Sequence, residues 1–224
     1  MTGFLLHAAD LLRGRPWGAQ AEAPGHTLLR LGAILVAFGV AYGAVMGTWG
    51  GLLGAHALQI LISASKVPVL LLATFAITLP SFFVLNTLLG LRADFREALW
   101  SLMATQAGLT VILASLAPFT ALWYLSSSDY NAAVLFNTIM FAAASVAAQR
   151  LLTRYYQPLI ARNRRHLWMR RAWLFLYAFV GIQMSWILRP FIGSPDLAPT
   201  FFRREAWGNA YVVVIDMLWR AVAR

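Results

Sequence analysis

Residues 28–49 read LLRLGAILVAFGVAYGAVMGTW and contain no acidic residue and no histidine. A helix rising 1.5 Å per residue carries such a stretch about 33 Å, enough to cross a hydrocarbon layer about 30 Å thick. Comparable runs recur at about 66–91, 98–125, 132–151 and 172–192. The pattern predicts an all-α fold, a polytopic transmembrane helical bundle of about five spans with amphipathic interfacial helices beside it.

Composition points the same way. Of 224 residues, 60% are apolar and 12% charged, against about 25% charged in soluble domains. The chain has no cysteine, which excludes disulfides, thiolate metal sites and cysteine nucleophiles. The net charge of +10 comes from basic residues that are all arginine except Lys66, and they cluster beside the apolar runs. That placement is what membrane topology requires, so nucleic acid is not an expected partner.

Three regions follow. Residues 1–27 form an N-terminal amphipathic helix and linker: Phe4, Leu5, Ala8, Leu11 and Leu12 share a helical face, and Gly14 and Pro16 can end it. Asp10, Arg13 and Arg15 make this stretch unlike a signal peptide, so it is expected to be retained on the cytoplasmic side. Residues 28–192 hold the five spans, with a short interfacial helix expected at 50–65, before a second span that opens at Lys66 and is kinked at Pro80. Residues 193–224 read as a C-terminal interfacial segment or a short sixth span, in which Asn209, Asp216 and Arg220 share one face.

Counting arginines orients the chain. With the N-terminus inside, Arg92, Arg96 and the run from Arg150 to Arg171 fall on the inner side, whereas the connection at 126–131 carries Asp129 and no base. Trp49, Trp123 and Trp186 then mark the outer boundary and Trp100, Trp168 and Trp173 the inner one. A bacterial inner membrane, with the N-terminus cytoplasmic, is the expected location.

The five spans lack His, Asp and Glu as well as Cys, which argues against intramembrane haem ligation, proton relays and hydrolytic chemistry. His7, His26, His56 and His166 lie between spans at spacings that match no metal motif. No cofactor, metal or catalytic residue is therefore expected, and the chain is not expected to be an enzyme.

Four groups of residues remain as candidates. Gly39, Gly43 and Gly47 form a small-xxx-small seam on the first span, suited to close helix approach, within this chain in preference to another. Asn86, Gln106, Asn137 and Gln183 put amides in or near four spans, either as interhelical glue or, if they converge, as a polar path. Arg154, Arg162, Arg164, Arg165, Arg170 and Arg171, interleaved with Tyr155, Tyr156 and Trp168, predict a loop lying along anionic headgroups or an acidic partner. Arg189, Arg203, Arg204 and Trp207 form an aromatic and basic cluster at the outer interface.

Lys66-Val-Pro68 opening a span, Pro80 inside it and a very short later outer connection resemble bacterial members of the Yip family of membrane proteins. The resemblance implies a five-helix bundle with a trafficking or membrane-organising role, and it supplies no catalytic residues. The expected function is that of a non-catalytic scaffold or accessory subunit of a larger membrane complex, with a membrane-protein partner or a second copy. The alternative is a small transporter or channel whose intramembrane amides line a polar path.

Overall fold

The computed structural model describes residues 2–14, 24–51, 55–193, 199–202 and 211–212. They are mostly helical, with no strand among the described residues: α1 (Thr2–Leu12), α2 (Pro24–Gly47), α3 (Ala55–Leu88), α4 (Phe95–Ser126), α5 (Tyr130–Arg162) and α6 (Arg165–Leu188). Helices α2 to α6 are each long and apolar enough to cross a membrane.

The connections are short because local chemistry stops and restarts each helix sharply. Gly90, at φ +73°, ends α3, with its N–H donating to Thr87 O and the Leu91 N–H to Asn86 O, the left-handed C-terminal motif that glycine permits without a Cβ clash. The Asn86 amide Nδ2 adds a bond to Leu91 O at 2.9 Å. Asp129 caps α5 by accepting from the Asn131 and Ala132 N–H groups. Asn163 Oδ1 accepts from the Arg165 N–H and starts α6 one residue after the turn.

Two expected boundaries are corrected. The short interfacial helix at 50–65 and the second span are one helix, α3, continuous through Pro68 and Pro80. Two polar residues of that stretch, Gln59 and Ser63, are buried, as is Lys66. Likewise the arginine-rich stretch is not a loop: α5 runs on to Arg162 and α6 begins at Arg165. Leu151, Leu152, Tyr156 and Leu159 carry the buried helical period straight through it. Trp173 is a third correction, since it is a core residue wedged edge-on against Phe75 and Phe82 instead of a boundary anchor.

The helices are arranged as an arc in the order α5, α4, α2, α3, α6, each packed on its neighbour, while α5 and α6 at the two ends barely touch. The glycine seam explains the middle of the arc. A Cβ on Gly43 would strike the backbone at Ser63 and Ala64, and one on Gly47 would lie 2.6 Å from the Ile60 Cα; at Gly39 the neighbour is Pro68, at 3.4 Å. The seam is thus the α2–α3 contact, where close backbone approach substitutes for a hydrophobic drive that lipid cannot supply. Helix α1 docks through Ala8 and Leu11 against α4, and Tyr155 and Arg154 of α5 donate to Leu11 O and Arg13 O at its end.

Candidate functional site: a crevice between α5 and α6

The open ends of the arc enclose a crevice of about 730 Å³. Its floor comprises Met46 of α2, Leu70 of α3 and Gln106 and Leu109 of α4, and its walls are α5 and α6. Along α5 the lining runs from Tyr130 to Leu152, a helical rise of about 33 Å that matches the hydrocarbon thickness. Arg189, Pro190, Phe191 and Ile192 close the end that also carries the α4–α5 turn.

Polar side chains line it at several depths. Asn131, Thr138, Ser145 and Gln149 follow one another on α5 at intervals of seven, seven and four residues, one face of the helix, and all four are exposed. Opposite them α6 presents small residues, Ala178, Gly181 and Ser185, and the hydroxyl of Tyr177. The Tyr177 hydroxyl donates to Gln106 Oε1 at 2.8 Å, and the Tyr42 hydroxyl of α2 donates to Asn137 Oδ1 at 3.2 Å. Asn137 Nδ2 in turn donates to the Tyr124 hydroxyl of α4 at 2.7 Å.

The four predicted amides therefore divide. Gln106 and Asn137 both line the crevice, Gln106 bonded across it to Tyr177 and Asn137 to Tyr42 and Tyr124, whereas Asn86 serves the end of α3 far along the chain from it. Gln183 lies half-buried on α6. The seven-residue recurrence of Asn131, Thr138 and Ser145 was a sequence signal for the polar face that the amides alone did not reveal.

The arginines divide too. Arg162 forms a bidentate pair with Glu97 at 2.5 and 3.3 Å and lies 3.8 Å from Asp94, while the buried His166 meets Asp94 through Nε2 at 3.0 Å. Arg165 donates to Leu89 O at 3.0 Å and Arg154 to the end of α1. Arg171 lies over the Trp168 ring, Arg164 is exposed and Arg170 is half-buried. The expected single basic surface is in part a clamp joining the α5–α6 turn to the α3–α4 turn, because Asp94 and Glu97 arrive from a distant part of the chain. Of the outer cluster, Arg189 stacks on Trp186 at the crevice mouth; Arg203, Arg204 and Trp207 lie outside the described residues.

At the same end Lys66 is fully buried and donates to Pro190 O at 2.6 Å and Thr200 O at 3.4 Å, with the Phe201 ring 5.1 Å away. Ser63 donates to Phe191 O at 2.5 Å. These bonds tie the segment after α6 to α3 and so fix one lip of the crevice. No group of metal-ligating side chains occurs among the described residues. Comparison with family models, curated proteins and solved structures returns no match to this chain.

Proposed function

We propose that this chain is a non-catalytic integral membrane protein that holds one amphipathic lipid in the crevice between α5 and α6. The shape of the crevice carries the reading. Its volume of about 730 Å³ falls within the ordinary range for small-molecule sites, about 300–1,000 Å³. It extends along α5 for a rise of about 33 Å, matching the hydrocarbon thickness, and lies open between α5 and α6. A groove that is apolar over most of its walls and polar along one face of α5 suits part of an amphipathic lipid entering from the bilayer. The polar group of such a molecule has Arg189, Tyr130 and Asn131 at the mouth.

The basic end, where Arg164 and Arg171 are exposed, is assigned to the cytoplasmic side of a bacterial inner membrane, in keeping with the excess of arginine there. That face, directed at anionic headgroups or an acidic partner, supports a second reading as an accessory subunit or membrane organiser, the role the Yip-like features also imply. Purification in mild detergent followed by mass spectrometry of extracted lipid and of bound protein tests both. Near-stoichiometric lipid that falls several-fold in Ala178→Leu, at an exposed position lining the crevice, is the expected result. A lipid-free wild-type chain overturns the lipid reading, and a partner at fixed stoichiometry retained by Ala178→Leu favours the subunit reading.

A further inference from the structure

We propose that the crevice is a track along which phospholipid headgroups cross between leaflets while their acyl chains stay in the bilayer. The inference rests on the lipid-holding reading above and extends it from holding to passive translocation.

The polar face of α5 is the observation that leads here. Asn131, Thr138, Ser145 and Gln149 line the crevice and are exposed toward the side where α6 does not close on α5. Polar side chains in a transmembrane helix ordinarily bond to a neighbouring helix or turn away from lipid. The Thr138 hydroxyl does return to Val134 O at 2.9 Å. The side chains of Asn131, Ser145 and Gln149 make no hydrogen bond among the described residues. Their hydrogen-bonding capacity is directed into a groove that opens on hydrocarbon.

Depth makes them a series. From Asn131 to Gln149 is a rise of about 27 Å, nearly the whole apolar layer. Successive members seven residues apart are separated by about 10 Å, and the opposite wall and floor add Ser185 and the Tyr177–Gln106 pair. A headgroup moving through hydrocarbon loses its water, and the barrier is that desolvation. Amides and hydroxyls at successive depths replace water bonds as the headgroup advances, while the open side between α5 and α6 leaves the tails in the bilayer. Amides and hydroxyls both donate and accept, so phosphate-bearing headgroups in general are served, with little discrimination by net charge. The residues lining the crevice include no His, Asp or Glu, so the proposed movement is passive and runs in both directions toward equal leaflets.

The test is the full chain in vesicles of phosphatidylcholine and phosphatidylglycerol containing a trace of phospholipid labelled with a reducible fluorophore, bleached by dithionite added outside. Protein-free vesicles retain the inner-leaflet signal; wild-type vesicles are expected to lose it. Thr138→Val combined with Ser145→Leu, at positions facing lipid and not the core, is expected to slow that loss by about tenfold. Because the chain has no cysteine, Ser145→Cys reconstituted first and then given a bulky thiol reagent blocks the groove in a protein already folded, and should stop bleaching at the inner-leaflet signal. Wild-type vesicles that bleach no further than empty ones, while lipid still co-purifies with the chain, overturn the track and leave the holding reading intact. Absence of both overturns both. Translocation unchanged in the double variant and in the blocked Ser145→Cys chain overturns the assigned route.

Discussion

The Tyr177 hydroxyl of α6 donates to Gln106 Oε1 of α4 at 2.8 Å, joining two helices that are not neighbours in the arc. It is the bond across the crevice floor, and it holds α6 at a set distance from the α4–α5 pair while leaving the groove above it open.

Removing that bond is expected to loosen the floor. Tyr177→Phe leaves the Gln106 amide without its donor in an apolar setting and should lower stability by about 1 kcal/mol, within the range of about 0.6–2 kcal/mol for interhelical bonds in lipid. Adding Gln106→Leu should return part of the loss, because the stranded amide goes with it. Unfolding in mixed micelles, read as a double-mutant cycle, checks the coupling.

The glycine seam predicts a graded series. Gly39→Ala meets only Pro68 atoms at 3.4 Å and should change the melting temperature little. Gly43→Ala and Gly47→Ala place a methyl against the backbone of α3 and should each cost about 1–3 kcal/mol, the usual range for overpacking. Equal losses at all three positions in a thermal melt would contradict the assigned α2–α3 contact.

Lys66→Met should free the segment after α6 while leaving the spans intact. The substitution removes the donor to Pro190 O and Thr200 O, and stranding a buried carbonyl costs about 1–3 kcal/mol. Hydrogen exchange and limited proteolysis should show increased exposure confined to residues 189–202.

At the basic end, the Arg162–Glu97 pair and the His166–Asp94 contact should behave differently. Arg162 is mostly exposed and its partner partly so, so Arg162→Ala should cost at most about 1 kcal/mol, and less at high salt. His166 is fully buried, and Asp94→Asn, which weakens its only hydrogen-bond partner among the described residues, should cost more, about 1–3 kcal/mol. Melts at two salt concentrations separate the two.

Topology is testable with single cysteines in this cysteine-free chain. Ser127→Cys in the α4–α5 turn and Asn163→Cys in the α5–α6 turn are expected to label from opposite sides of the membrane. With the arginine-rich end inside, Ser127→Cys is the one reached by an impermeant reagent in intact cells.

Much of this architecture is a local property of the chain. The lengths of the apolar runs set the number of spans, Gly90 and Asp129 stop and start helices through bonds to residues within a few positions, and the period of Gly39, Gly43 and Gly47 announced a close helix contact. Each depends on spacing along the sequence, and spacing is what a sequence displays. Relations between distant residues were decided only by the tertiary arrangement. The partner of the glycine seam is α3, Asp94 and Glu97 reach the α5–α6 turn from another connection, and Trp173 leaves the expected boundary for a core between Phe75 and Phe82. The continuity of α3 through residues read as interfacial belongs here also, because Gln59, Ser63 and Lys66 are accommodated by bonds within α3 and to the distant segment after α6. Above all, nothing local states that α5 and α6 remain apart: in lipid no hydrophobic force closes them, and only the packing of each against its own neighbours, α4 and α3, leaves the crevice open.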